Sequence, residues 1–247
     1  MIKLNNKNIT YVALADSNNS LKVPKEIWYA DSSNSVKLVY RNYYERKEWL
    51  RGDGTAYLDT NIVPDAYTKW ELDAIMKASS TTFQTNGIFF QVGSSYARFG
   101  IGIERNGRIN MSCGLIDGIT NVTSDNARHL FTLDAINSQW KIDNSSGTVD
   151  GYNYTSSQSI YIFARHAASS EKFFDSGNLI IYGSKLYANN TLIQHLVPCK
   201  LINALPASKD ANGIARSIGE CGMWDTVNDV FYGNVASSGT FSVSDNS

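Results

Sequence analysis

Glu71 and Asp73 are the side chains best spaced for acid–base chemistry. They stand two apart in Trp70-Glu71-Leu72-Asp73-Ala74-Ile75-Met76. Such alternation predicts a strand with both carboxylates on one face, roughly 7 Å apart. Retaining glycoside hydrolysis uses two carboxyls about 5–5.5 Å apart. The next positions on the strand, Ile75 and Met76, offer no second acid. The expectation is therefore a solvated face without catalysis, with Trp70, Leu72, Ala74 and Met76 turned inward.

Other reactive types stand alone. His129, His166 and His195 each lack a neighbouring His or Cys, and no Ser-His-Asp or metal-ligand spacing is visible. Arg165-His166 follows an apolar strand, where sheets present loops. Cys113, Cys199 and Cys221 form no Cys-x-x-Cys pair, which argues against zinc. They read as buried free thiols, with a Cys199–Cys221 bridge as the alternative because both flank one long loop. Arg51-Gly52-Asp53 spells an integrin tripeptide, but Gly52-Asp53-Gly54 is better explained as turn chemistry. Asp117, Asp125 and Asp150 lie in loops without the spacing of a calcium site. No metal ligand and no cofactor is expected.

Sugar recognition draws on other side chains. Aromatic rings stack on sugar faces, and polar groups pair with hydroxyls. Tyr43, Tyr44, Tyr96, Trp140, Tyr152 and Tyr154 are the aromatics suited to a surface. The expected glycan-binding set is Tyr96, Trp140, Tyr152, Tyr154, Arg165 and His166. For any one ring, the competing reading is a place in the core or at a protein interface.

These residues need a scaffold, and composition narrows it. The 247 residues are 43% hydrophobic and 12% aromatic, enough to bury a core. The net charge of −1 leaves no basic surplus for nucleic acid. Charged residues make up only 18%, so Asn, Ser, Thr, Gly and Tyr carry the surface. No apolar run approaches the roughly 20 residues of a membrane span. Met1-Ile2-Lys3-Leu4-Asn5-Asn6 lacks the apolar core of a signal peptide, which suits assembly in a cytoplasm.

Short strands bounded by polar turns follow one another along the chain, and none of it reads as a long amphipathic helix. Residues 1–47 hold strand candidates at Ile9–Leu14, Glu26–Tyr29 and Ser35–Tyr40, a three-stranded meander too small to be stable alone. Its apolar residues Ile27, Trp28, Tyr29, Val36, Leu38 and Val39 are the expected assembly surface. At the seam, Trp49-Leu50, a Gly-Asp-Gly turn and Ala56-Tyr57-Leu58 read as strand, tight turn and strand. Further strands are expected at Trp70–Lys77, Gly87–Val92, Tyr96–Ile103, Arg108–Cys113, His129–Asp134, Gln139–Ile142, Gly147–Tyr152, Ser159–Arg165, Gly177–Tyr187, Thr191–Pro198 and Asp229–Tyr232. Asn106-Gly107 and Asn189-Asn190 signal hairpins, and Pro198 is expected to end its strand. Tyr57-Leu58 and Phe231-Tyr232, without local partners, are expected to pair with each other or with Leu192–Pro198. Trp224 should lie buried beneath that closure.

Several segments together resemble one family. Glu48-Trp49-Leu50, Gly54-Thr55 and Tyr57-Leu58-Asp59-Thr60 match its entry strand. Ser159-Ile160-Tyr161-Ile162-Phe163-Ala164-Arg165, Gly183-Ser184-Lys185-Leu186-Tyr187, Leu196-Val197-Pro198-Cys199, Gly222-Met223-Trp224-Asp225 and Phe231-Tyr232-Gly233-Asn234 match its closing strands. Over residues 48–241 the chain resembles the concanavalin A-like (laminin G-like) jelly-roll domain of gut-bacterial surface proteins and of phage fibre and decoration proteins. The loop Leu201–Gly219 is longer than the family's usual link. Laminarinase-type glycosidases on this fold carry Glu-x-Asp-x-(x)-Glu, and the final Glu would fall at Ile75 or Met76. Structural calcium is known in some laminin G-like relatives, but nothing in this chain indicates it.

The expected architecture is all-β: a small amino-terminal β module, residues 1–47, then a two-sheet antiparallel jelly-roll sandwich, residues 48–247. The resemblance implies a non-enzymatic phage virion surface protein, a head or tail fibre or decoration subunit. Its partners would be other virion proteins, sister copies in a homo-oligomer and host cell-surface glycans, with no nucleic acid and no membrane insertion. A bacterial cell-surface carbohydrate-binding module is the alternative, and a glycoside hydrolase comes third.

Overall fold

The computed structural model describes residues 42–77, 84–92, 95–104, 106–114, 119–151, 157–167, 172–173 and 178–245, and the strands within residues 1–41; side chains are described outside 1–41, 84–97, 119, 167 and 172–173. The chain is all-β. Its amino-terminal strands are β1 (Ile2–Leu4), β2 (Lys7–Ile9), β3 (Leu14–Ala15), β4 (Leu21–Lys22), β5 (Glu26–Ala30) and β6 (Val36–Arg41). Then come β7 (Tyr44–Arg46), β8 (Leu50–Gly52), β9 (Leu58–Asp59), β10 (Thr68–Met76), β11 (Gln84–Val92), β12 (Ser95–Ile103), β13 (Arg108–Gly114), β14 (Ile119–Thr123), β15 (Arg128–Asp134), β16 (Gln139–Ile142) and β17 (Ser145–Thr148). The rest are β18 (Tyr161–Ile162), β19 (Ala164–Ala167), β20 (Lys172–Phe173), β21 (Leu179–Ala188), β22 (Thr191–Leu201), β23 (Cys221–Asp225), β24 (Val230–Tyr232) and β25 (Phe241–Val243), with one 3-10 turn at Ala207–Lys209.

Two sheets form the sandwich. The larger has 11 strands, running β17-β16-β15-β10-β21-β22-β23-β24, with β7 added to β22, and β8 between β21 and β25. The smaller has eight, running β14-β13-β12-β11-β18-β9, with β19 and β20 beside β11. Among the described strands, pairing is antiparallel except for the short parallel contact of β11 with β19; an isolated parallel bridge also joins Asp210 to Phe231. The core lies between the sheets, where Trp70, Leu72, Ala74 and Met76 of β10 face Phe99, Ile101 and Ile103 of β12. Trp70 stacks against Phe99 at 6.3 Å and donates its indole N–H to Ser184 Oγ at 2.9 Å. The alternating burial of β10 is the one its sequence predicts.

The amino-terminal strands form three separate two-stranded sheets, β1-β2, β3-β4 and β5-β6, in place of the expected meander. Of the expected Ile9–Leu14 strand, residues 10–13 lie outside the described residues. In the third hairpin Trp28 stands opposite Leu38 and Ala30 opposite Val36, with a bulge between Ile27 and Trp28. Residues 42–47 belong to the sandwich: Tyr44, Glu45 and Arg46 pair with Leu201, Lys200 and Cys199.

Four sequence expectations change. The segment around Gly52-Asp53-Gly54 is a crossover and not a hairpin, because β8 joins the large sheet while β9 pairs with β18 in the small one. Asp53 holds it: Oδ1 accepts from Thr55 N (2.9 Å) and Ala56 N (3.1 Å), and Oδ2 accepts from Thr240 N (2.5 Å). Pro198 does not end β22, which continues to Leu201. The Pro198 carbonyl accepts from Lys47 N–H (2.8 Å), so its missing donor faces the point where the neighbour changes from β21 to β7. Ser159–Arg165 is broken at Phe163, which takes φ 70° and sends its ring into the core beside Phe241 (5.2 Å). Lastly, Tyr57-Leu58 does not pair with Phe231-Tyr232; Phe231 pairs with Trp224, and the first and last parts of the sandwich meet instead as β8 and β25.

Both expected hairpins form. Asn189 and Asn190, at φ 48° and 62°, make a two-residue turn. Gly107, at φ 81°, closes a longer loop in which Glu104 and Arg108 still bond at 2.9 Å. The long loop after β22 packs on the outer face of the large sheet. There Leu205 joins Val197, Cys199, Leu201, Trp224 and Phe231 in a second apolar cluster, capped by Tyr43 and Tyr44. Buried Arg216 and Asp210 (2.7 Å) pin that loop, and Asp210 also accepts from Asn212 N and Ile214 N. All three cysteines are free thiols. Cys199 faces this outer cluster and Cys221 the sandwich core, so alternation points them to opposite faces and a bridge between them is geometrically closed.

Candidate functional site

Among the described residues expected to bind glycan, Trp140 lies apart from Arg165 and His166. Trp140 sits on β16 opposite Leu133, half-buried against the sandwich core, with its indole over Gly147. A Cβ at Gly147 would come within 2.6 Å of that ring. Trp140 therefore fills the edge of the core and is not a free stacking platform. Arg165 and His166 belong to the other sheet, on β19. The His166 ring stacks on Tyr161 at 3.9 Å, Tyr161 stacks on Tyr57 at 4.5 Å, and His166 Nδ1 donates to the Ser159 carbonyl (3.0 Å). Arg165 is half-buried, and burial lowers its pKa. Tyr96 stands opposite Gln91 in the β11–β12 ladder, with its side chain outside the described residues, as are Tyr152 and Tyr154.

The outer face of the large sheet carries a different constellation, a groove of about 300 Å³. Gly183 lies in mid-strand on β21, with Asp73 of β10 opposite on one side. Having no side chain, it leaves a trough between the flanking strands. Glu71, Asp73, Arg128 and Leu130 line one wall. Lys185, His195, Val197 and Arg46 line the other, and Tyr182 closes an end. Register explains the grouping, since Glu71 pairs with Lys185 and Lys185 with His195, so all three share one face.

Both carboxylates are engaged. Asp73 accepts from Arg128 Nε (2.8 Å) and Nη2 (2.7 Å), a bidentate pair that raises the Arg128 pKa. Arg128 also lies 3.9 Å over the Tyr182 ring. Glu71 accepts from the Tyr187 hydroxyl (2.9 Å) and pairs with Lys69 (3.0 Å). Burial, and then the Glu71 hydrogen bond, push the Tyr187 pKa up to about 12. Every carboxylate oxygen in the groove thus already has a donor.

The opposite wall has cations to spare. His195 Nδ1 is 3.0 Å from the Thr226 hydroxyl, which leaves Nε2 as its second polar atom. Its backbone N–H donates to Asp225 Oδ1 (3.1 Å). Burial lowers the His195 pKa, and the charges of Lys185 and Arg46 lower it further against the opposing pull of Asp225. Sequence reading named His195 only as an isolated histidine and passed over Arg46 and Lys185, because the three come from separate segments. The signal that could have found them is Gly183, a lone glycine inside a strand pattern.

Among the described residues, no group of three or more His, Cys, Asp or Glu side chains could hold a metal ion. Asp125, one of the loop acids, is bonded to His129 Nε2 (2.8 Å). No protein-family model matches the chain, and no curated protein does.

Proposed function

We propose that this chain is a non-enzymatic surface protein of a phage virion, a fibre or decoration subunit whose sandwich binds glycans through the groove over Gly183. The observation that carries binding over catalysis is the state of Glu71 and Asp73. A glycosidase needs one carboxyl to protonate the leaving group and a second to attack or activate water. Here each carboxylate is spent on its own cation, Lys69 or Arg128. What remains is a shallow polar trough with one apolar side chain on each wall, Leu130 and Val197, a form suited to holding a sugar. The virion setting is supported by the residue pattern over 48–241 and by a neutral, Asn- and Ser-rich surface. Residues 1–41 then serve assembly. Two-stranded hairpins are marginal alone, and β5 and β6 carry Ile27, Trp28, Tyr29, Val36, Leu38 and Val39.

The test pairs a glycan array with a reducing-end assay on the same glycans. Binding without turnover is the expected result. Hydrolysis that disappears in Glu71→Gln would overturn the non-enzymatic reading. Labelling that finds the protein on a bacterial envelope, and not on purified particles, would overturn the virion setting.

A further inference from the structure

We infer that the groove over Gly183 selects an acidic saccharide, with Arg46, Lys185 and His195 Nε2 receiving its carboxylate or sulfate. The inference rests on the binding reading above and narrows its ligand. Its basis is an asymmetry between the walls. The acidic wall is internally neutralised, Asp73 by Arg128 and Glu71 by Lys69. The side chains of Arg46 and Lys185 make no ion pair or hydrogen bond among the described residues, although each lines the groove. They flank His195, whose Nδ1 is already held by Thr226.

Three donors on one side of a half-enclosed trough form a receptor for a single anionic group. Charge-assisted bonds are stronger inside a cleft than in open water. The floor at Gly183, between Leu130 on one wall and Val197 on the other, admits the apolar face of a ring. Lone pairs left on Glu71 and Asp73 can accept from its hydroxyls. A polyphosphate brings no donors to those two carboxylates, so a hydroxylated monoanion fits the pair of walls better. The volume of about 300 Å³ is at the low end for ligand sites and suits one sugar residue at a time.

The experiment titrates the full chain with methyl glucuronoside, a sialic acid methyl glycoside, glucose 6-sulfate and neutral methyl glucoside. Calorimetry measures affinity, and NMR follows the His195 pKa. The acidic sugars are expected to bind at least roughly ten-fold tighter than the neutral one, and the uronate and sulfate arms show which anion is preferred. Arg46→Gln and Lys185→Gln should each weaken the acidic sugar by roughly ten-fold or more, while Lys200→Gln, a change on the opposite strand face, leaves it unchanged. Bound acid should raise the His195 pKa. Equal binding of neutral and acidic glycosides, indifferent to both groove substitutions, overturns the inference and leaves the binding reading standing. If no glycoside binds while sulfate raises the His195 pKa in wild type but not in Arg46→Gln, the glycan reading falls and the anion site stands. Silence in every arm overturns both.

Discussion

Replacing Trp224 by Ala tests the outer layer of the large sheet. Trp224 is 3% exposed. It is buried outside the sandwich core, in the cluster with Val197, Cys199, Leu201, Leu205 and Phe231. One ring face is covered by Tyr44, stacked at 4.5 Å and 19°, with Tyr43 beyond at 6.4 Å. Truncating a buried Trp costs about 3–5 kcal/mol. The lost stack accounts for about 0.5–1.5 kcal/mol of that. Tyr43 and Tyr44 are half-buried and on the short segment before β8, so they can settle partly into the void, which favours the lower half of the range. For a sandwich of this size each kcal/mol shifts Tm by about 2–4 °C. A fall of roughly 6–15 °C is therefore expected by calorimetry. Trp224→Phe, which keeps a ring against Tyr44, should recover more than half of it. A mutant melting within about 2 °C of wild type would refute the reasoning, because the stack and the loop above it would then contribute nothing to the cooperative unit.

Truncation separates the first hairpins from β7: removing residues 1–41 should leave the Tm of the sandwich intact, whereas removing 1–47 strips the Tyr44 stack and the β7–β22 pairing and should lower it as Trp224→Ala does. Equal melting of the two truncations would show that β7 is dispensable. Arg216→Met leaves Asp210 as an unpaired charge with a fully buried side chain and should cost about 3–5 kcal/mol by denaturant unfolding, with most of the loss recovered when Asp210→Asn is added. Failure of the second change to rescue would argue against the ion pair as the cause. His129 is bonded to Asp143 (2.6 Å) and Asp125 (2.8 Å), which raise its pKa above 6.5 and lower theirs below 3.8. Its contribution is therefore fully present below pH 6.5 and fades as pH rises through the raised value, while the carboxylates' share fades as pH falls below 3.8. The Tm gap between wild type and His129→Gln should peak between those limits, and a gap that is constant from pH 4 to 9 would contradict the clamp. For Asp53, desolvation raises the pKa, but hydrogen bonds from Thr55 and Thr240 outweigh it and hold the value at about 2. Wild type should accordingly lose its advantage over Asp53→Asn as pH falls from 3.8 towards 2, and parallel acid melts would count against the crossover contact.

What could be read from the sequence was local. Alternation along β10 fixed which side chains face the core, and Asn189-Asn190 declared its turn, because each depends only on neighbours within a few residues. Pairing across the fold was not legible. Gly-Asp-Gly looks the same whether the chain turns back beside itself or crosses to the other sheet, and only the Asp53–Thr240 contact decides between them. Pro198 misled for a similar reason, since a missing donor ends a strand unless it falls where the neighbour changes. The segment of β23 was read only through the motif Gly222-Met223-Trp224-Asp225. A side chain at Gly222 would collide with the Tyr232 carbonyl, so the pairing of β23 with β24 requires the glycine, a constraint visible only in three dimensions. Of the expected glycan residues, Trp140 shows what sequence could not give. Trp140 has the composition of a sugar platform, but its strand register turns it towards Leu133 and the core.

The outer face of the large sheet is divided between two uses, and β22 marks the division. Along this strand His195, Val197, Cys199 and Leu201 alternate outward. From Cys199 onward the face is sealed by Trp224, the two tyrosines and the loop pinned by Arg216. At His195 it opens into the groove. Val197 lines both. The same short strand, β7, serves each half: Tyr44 covers Trp224, and Arg46 reaches the groove wall. Since β6 ends at Arg41 and β7 begins at Tyr44, the segment proposed for assembly runs into the groove's cationic wall within a few residues. Whatever fixes the first hairpins in place therefore also constrains the strand that presents Arg46. If the proposed assembly role of the first hairpins holds, affinity for an acidic sugar should be measured on the particle as well as on the free chain, because docking of the hairpins would hold β7 at both ends.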